Sequence, residues 1–271
     1  MLKMPNSSLK NKLDRIYQTY NRKAYLHPDP LEFLYNYENP ADREIVGLIA
    51  ASLAYGRVAP ILKSVSCILK CLGPSPYRYV LTLSPETLKT DFSDFTHRFA
   101  TGSHITALLI GIKQVMEEHG SLYTCFLKGV SEDDNTVFPG LVNFVRNLTS
   151  NGKQKVGHLI PDPQRGSACK RLNLFLRWMV RRDRVDPGGW EEVPVSKLII
   201  PLDTHMHRIG CFFGFTERKQ ADLRTTIEIT EGFRDIRPED PVRYDFALTR
   251  LGIRDDLDLY QELGKMKESE Q

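Results

Sequence analysis

The sequence predicts an all-α fold, and three observations support that prediction. Apolar residues recur along most of the chain at the spacing of one helix face. Proline and glycine stand mainly where these periodic segments begin and end. No convincing series of segments alternates apolar and polar residues, as half-buried strands do. With 271 residues, 41% of them hydrophobic, the chain is long enough to bury a large core.

The predicted helices follow one another from residue 39 onward. Asn39 and Pro40 open the first clear helix, because asparagine is a preferred N-cap and proline suits the first helical position. The segment 55–57 (Tyr-Gly-Arg) interrupts the helical pattern, and Pro60 begins the second helix. Further helices are predicted at about 104–118, 136–149, 167–182, 219–232 and 240–252.

The helix predicted at 167–182 concentrates positive charge. Advancing 100° per residue from Lys170 places Arg177, Arg181 and Arg184 on one face and apolar residues on the opposite face. Seven basic residues and one acidic residue between positions 164 and 184 give a local charge of +6, against +3 for the whole chain. Such a stripe can bind phosphates. It is also the pattern of a solvated helix face, or of arginines that pair with acids elsewhere in the chain.

A turn-rich segment from Pro161 to Ser167 precedes this helix. A glycine-containing turn at a helix N-terminus exposes backbone N–H groups to anions. We therefore expect nucleic-acid phosphates to contact the turn and the stripe, that is Arg165, Gly166, Ser167, Arg177, Arg181 and Arg184. Lys170 lies in the first helical turn, where the helix dipole and partial burial favour the neutral, nucleophilic amine.

Asp203 stands where the next helix should begin, and its simplest role is that of an N-cap. Its surroundings, residues 198–210 (LIIPLDTHMHRIG), resemble the Pro-Val-Asp-Thr-His-Val segment of helix-hairpin-helix DNA glycosylases. The resemblance implies that Asp203 is the catalytic acid and Lys170 a Schiff-base nucleophile. It also implies a single two-lobed, glycosylase-like helical domain over 1–271, with the hairpin and catalytic segment at about 158–210.

The resemblance extends to residues 44–72, which are similar to the opening helices of that superfamily. It implies substrate contacts by Tyr55 and Arg57, and we expect Trp178 and His205 to line the same pocket. The hairpin departs from the superfamily pattern, because residues 160–166 (IPDPQRG) contain one glycine and an extra proline. The sequence of residues 166–173 (GSACKRLN) also resembles that of a bacterial family of proteins of unknown function.

Several properties are expected to be absent. No cysteine follows Cys211, so the C-terminal four-cysteine cluster of endonuclease III, and with it an iron–sulfur cofactor, is not expected. His205 and His207 would point to different faces of a helix, so we expect no metal site. The chain has neither an N-terminal signal pattern nor about 20 consecutive apolar residues, which predicts a cytoplasmic protein without membrane contact. We also expect it to be a monomer.

The sequence therefore favours a DNA glycosylase, with or without AP lyase activity, that acts on double-stranded DNA carrying a damaged base and needs no cofactor. Two alternatives remain. One is a nucleoside or RNA N-glycosidase of the same superfold. The other is a non-enzymatic nucleic-acid-binding module, which the altered hairpin makes credible.

Overall fold

Helices form almost all of the regular structure. The computed structural model describes residues 6–253, apart from positions 83, 85, 86, 88, 89 and 151–154. Helix accounts for 63% of the described residues and strand for 3%, which confirms the all-α class. The α-helices are α1 (Asn6–Tyr20), α2 (Pro40–Ser52), α3 (Val58–Leu72), α4 (Pro76–Thr82), α5 (Gly102–His119), α6 (Leu122–Leu127), α7 (Phe138–Leu148), α8 (Lys170–Val180), α9 (Thr204–Phe213), α10 (Leu223–Ile236) and α11 (Asp245–Ile253). A short antiparallel pair, β1 (Thr96–His97) and β2 (Ala100–Thr101), precedes α5.

Local sequence signals explain where these helices begin. Asn39 caps α2 as predicted, with its side chain accepting a hydrogen bond of 2.9 Å from the Ala41 N–H. The helix α8 begins at Lys170, three residues later than expected from the sequence. The reason is that Cys169 adopts a left-handed backbone conformation with φ 46°, which is incompatible with a right-handed helix. The helix therefore starts at the next residue.

The centre of the fold is the packing of α2 against α8. Gly47 allows the close approach, because a Cβ at that position would lie 3.3 Å from the Phe175 ring. Ala50 and Ala51 are buried on the same helix, as expected for a helix enclosed on most sides.

A carboxylic acid is buried beside this centre. Glu44 on α2 accepts a hydrogen bond of 3.1 Å from Trp190 Nε1 and one of 2.9 Å from the Leu122 N–H. Burial raises the pKa of Glu44 to about 7, because desolvation opposes the charged form more than these donors favour it.

The predicted arginine stripe does not form on α8, because the helix ends at Val180, before Arg181 and Arg184, and two of the three arginines are enclosed. Arg177 and Arg181 are each 3% exposed. Arg177 pairs with Asp186 and Asp245, and Arg181 pairs with Asp186, Asp183 and Asp240. The carboxylates come from segments that fold over the helix, so these two arginines are enclosed and are not available to phosphates. Only Arg184 remains exposed.

The expected place of Trp178 in the substrate pocket is also wrong. Its side chain is fully buried in the interior of the protein. The part of α8 that carries it, Phe175 to Val180, is buried on all sides.

Within the described residues, no single helix combines the length and apolar character needed to cross a membrane. One pair of helices bent by 60°, α3 and α4, meets the length and composition criteria together.

Candidate active site

A cavity of about 780 Å³ opens where the turn between α2 and α3 meets the starts of α8, α9 and α11. The volume falls within the range of small-molecule sites in proteins. Five of the six residues predicted for catalysis and the pocket line it, namely Lys170, Asp203, Tyr55, Arg57 and His205. The sixth, Trp178, does not. The tertiary structure thus brings together residues that lie up to 150 positions apart.

Lys170 enters the cavity from the first turn of α8. Its side chain is partly exposed, and Nζ donates a hydrogen bond of 3.2 Å to the Ala54 carbonyl at the end of α2. In the described part of the chain no carboxylate forms an ion pair with it. Nζ is therefore oriented by a neutral acceptor and is not neutralised by an acid.

Asp203 approaches from the start of α9. It is the N-cap, and Oδ1 accepts both capping hydrogen bonds, 2.9 Å from the His205 N–H and 2.8 Å from the Met206 N–H. Because one oxygen accepts both bonds, Oδ2 stays available to a ligand in the cavity. The structural role and a chemical role are therefore compatible in this residue.

Two acid–arginine pairs form the inner wall. Arg177 Nη1 lies 2.5 Å from Asp245 Oδ2, and Arg250 pairs with Asp29. Asp245 Oδ1 is buried without a hydrogen-bond partner, which is unusual for a carboxylate oxygen. Burial raises the pKa of Asp245 to about 6, against the effect of Arg177 and with a contribution from the Asp203 carboxylate.

The rim is basic and aromatic. Arg171 donates to the carbonyls of Ser52 and His158, and its guanidinium lies 4.9 Å from the centre of the Tyr55 ring. Burial lowers the pKa of Arg171, since no acid compensates its charge. Arg57 is exposed beside it and forms no ion pair with any described residue. Arg57 and Arg171 therefore add positive charge without a carboxylate partner to the lining of the cavity.

Tyr55 connects three segments around this rim. Its hydroxyl donates to the His97 carbonyl at 2.9 Å and lies 2.8 Å from His158 Nε2. Burial lowers the pKa of both histidines, so their rings are neutral near pH 7. Tyr55 thereby links the α2–α3 turn to the β1–β2 hairpin and to the segment before α8.

The predicted phosphate-binding turn lies outside the cavity, along a second groove lined by Arg146, Lys155, Arg165 and Ser167. Arg165 is exposed and 3.5 Å from Asp162. The N–H groups of residues 164–166 bond within the turn, to Asp162 and Pro163. Gly166 has φ 75°, and its carbonyl accepts from the Leu223 N–H. The turn therefore keeps fewer free donors than the sequence led us to expect, and contact of Arg165, Gly166, Ser167 and Arg184 with phosphates stays a prediction.

Sequence reasoning missed Asp245 and Arg171 as cavity residues. Arg171 belongs to the basic segment 164–184, but the sequence assigns it no role beyond its charge. Asp245 belongs to a helix whose start was placed earlier in the chain, and a single aspartate in a helix carries no signal of its own. Among the described residues, no group of three or more His, Cys, Asp or Glu side chains is placed to hold a metal ion.

Comparison with known proteins identifies a family for this chain, but that family has no known function. The sequence model of the family described as "Protein of unknown function (DUF2400)" matches residues 29–254. No curated protein and no solved structure matches the chain.

Proposed function

Since the chain belongs to the DUF2400 family, a family of unknown function, we propose a function from the cavity itself: cleavage of an N-glycosidic bond in DNA. The observation that carries this proposal is that Lys170 and Asp203 line one cavity, together with Tyr55, Arg57 and His205. The resemblance of residues 198–210 to helix-hairpin-helix DNA glycosylases assigns chemistry to the same two residues. The shared cavity is therefore consistent with the pair that the resemblance assigns.

The reaction requires a nucleophile and a stabilising charge. The neutral amine of Lys170 attacks C1′ of the sugar, and the bond between C1′ and the base nitrogen breaks with its electron pair on the base. The proton lost by the lysine nitrogen balances the proton gained by the base. The second N–H proton goes to the ring oxygen as the sugar opens, which leaves an imine between Nζ and C1′. The Asp203 carboxylate stabilises the positive charge that develops on the sugar.

The inner wall suits a nucleobase. Arg177 holds Oδ2 of Asp245, and Oδ1 is left without a donor. Oδ1 is enclosed, so a movement of the surrounding wall would let an N–H group on the edge of a base that has left the stack donate to it. The base would thus lie deepest, with the sugar at Lys170 and Asp203 and the phosphates at the basic rim.

Borohydride trapping tests this function directly. Borohydride reduces an imine to a stable amine, so the protein should become covalently attached to a duplex that carries a damaged base or an abasic site. The panel contains one lesion per duplex and an undamaged control. Lys170→Ala should abolish the adduct. Lys70→Ala, which removes an exposed lysine in the last turn of α3, should leave it unchanged. Absence of an adduct with every lesion would contradict the imine mechanism.

A nucleoside is the second candidate substrate, because a cavity of about 780 Å³ can hold one without a polymer. Arg57 separates the two candidates, since it lies at the exposed rim and has no acid partner. Arg57→Glu should weaken processing of a duplex and flatten its salt dependence, but should leave nucleoside hydrolysis unchanged. Equal effects on both substrates would favour a direct role of Arg57 in the reaction.

A further inference from the structure

The β1–β2 hairpin carries an exposed aromatic residue beside the cavity. Thr96 pairs with Thr101 and His97 with Ala100, so the turn consists of Arg98 and Phe99. Phe99 is 71% exposed, and it is the one large hydrophobic side chain in the described part of the chain that is classed as exposed. Apolar residues of this size elsewhere in that part are buried or partly buried.

The exposure of Phe99 does not come from a loose loop. His97 and Ala100, on either side of the turn, are 4% and 0% exposed. The His97 ring lies 2.9 Å from Ser64 Oγ on α3, and the His97 carbonyl accepts the Tyr55 hydroxyl. The turn is therefore fixed to the wall of the cavity, and Phe99 is presented on a rigid support.

Arg98 accompanies the exposed ring. Its backbone is left-handed, with φ 55°, a conformation that few residues other than glycine adopt without cost. The guanidinium lies 5.5 Å from the centre of the Phe99 ring and 5.9 Å from that of Tyr55. It also reaches the rim of the cavity, since a Cβ on Gly56 would lie 2.8 Å from Nη1.

The charges around this turn favour one class of partner. Arg98, like Arg57 and Arg171, forms no ion pair with any described carboxylate. An aromatic ring next to unpaired cations is the combination that binds single-stranded nucleic acid, where bases stack and phosphates are neutralised. A single exposed ring is too small to be the core of a protein–protein interface.

We propose that the Arg98-Phe99 turn is a stacking site for an unpaired nucleobase of the strand whose neighbouring nucleotide occupies the cavity. This inference rests on the proposed nucleic-acid substrate and adds a contact to it. Phe99 stacks on the base, and Arg98 meets the adjacent phosphate. The separation from the cavity is short, because the Phe99 ring lies 5.9 Å from His158, which contacts Tyr55 on the cavity wall.

The test uses Phe99→Trp in the full-length protein. Trp178 and Trp190 are 0% and 1% exposed, so the introduced indole would be the one tryptophan open to solvent. Titration with a duplex that contains an abasic-site analogue should quench its fluorescence and protect it from acrylamide. Phe99→Ala should weaken binding about 5-fold or more. Phe99→Leu, which keeps an apolar side chain without a ring, should behave like Phe99→Ala.

The outcomes separate this inference from the proposed chemistry. Quenching together with weaker binding by the Ala and Leu variants supports stacking, even if borohydride traps no adduct. An adduct with unchanged fluorescence and unchanged affinity of the variants would overturn the stacking site alone. Wild-type affinity of Phe99→Leu would show a merely apolar contact, as with a protein partner, and would overturn it too. Failure of the wild-type protein to bind any duplex or single strand would overturn both proposals.

Discussion

Arg177 joins Asp245 at the cavity wall to the buried interior of the protein. Its Nη1 lies 2.5 Å from Asp245 Oδ2, while Nε and Nη2 lie 3.2 Å from Asp186 Oδ1. One guanidinium therefore serves two aspartates, one that lines the cavity and one that does not. Because both carboxylates are buried and share a partner, they form a matched pair for mutagenesis.

Asp245→Asn should impair the chemistry more than the fold. The amide keeps the size of the side chain but removes the negative charge and one acceptor oxygen. A hydrogen bond to a charged group contributes about 1.5 to 3 kcal/mol, so we expect binding or trapping of the preferred lesion to fall at least about 10-fold. Asp186→Asn removes a carboxylate that pairs with the same arginine but does not line the cavity. At temperatures where this variant is folded, borohydride should trap its adduct as efficiently as that of the wild type. Equal losses in both variants would mean that Asp245 acts only through Arg177.

Arg181→Met should be strongly destabilising. It removes the cation that compensates Asp183, Asp186 and Asp240, and an uncompensated buried charge costs about 3 to 5 kcal/mol. The neighbouring Arg182 is exposed and 3.5 Å from Glu191, so Arg182→Met should cost less than about 1 kcal/mol. Urea unfolding of both variants measures the difference. Similar stabilities would contradict the enclosed position of Arg181.

Asp203→Asn should abolish activity and preserve the helix. Asparagine caps helices as well as aspartate, so α9 should form normally, whereas the charge that stabilises the developing cation is lost. We expect the rate to fall by about 100-fold or more, with an unchanged melting temperature. Asp222→Asn is the control for activity, because the Asp222 side chain also caps a helix, α10, and does not line the cavity. An active Asp203→Asn protein would leave Asp203 with a structural role only.

Glu44→Gln should change the pH dependence of stability. The pKa of Glu44 is raised in the folded protein to about 7 from an ordinary value of 4.5, so between these values the folded state binds more protons than the unfolded state. This acid therefore lowers the free energy of unfolding as pH rises from about 4.5 to about 7. Glutamine does not titrate. The free energy of unfolding of the variant, relative to that of the wild type, should therefore increase by up to about 3 kcal/mol as pH rises across that range.

Denaturant unfolding at several pH values measures this gain. Glu191→Gln, at a position whose side chain is 78% exposed, should show no such trend. A constant difference between Glu44→Gln and the wild type would show that Glu44 keeps an ordinary pKa.

Local signals account for what could be predicted from the sequence. The class of the fold, the N-cap at Asn39 and the helix after Asp203 follow from periodicity and capping, which involve residues a few positions apart. Lys170 and Asp203 were selected in the same way, from their positions at helix starts and from a short resembling segment. Their meeting in one cavity was an expectation that only the folded chain could test.

Only the tertiary structure determines which charged side chains are buried and with which residues they pair. From the sequence alone, Arg177 and Arg181 could form a solvated or phosphate-binding stripe or pair with acids elsewhere in the chain. Asp183 and Asp186 follow closely in the sequence, but Asp245 and Asp240 lie 68 and 59 residues away, and the folding of those segments over the helix completes the buried ion pairs. The exposed ring of Phe99 likewise depends on a hairpin of two-residue strands, too short for a periodic signal. Periodicity shows which face of a helix is polar, but whether solvent or another part of the chain covers that face depends on contacts between distant residues.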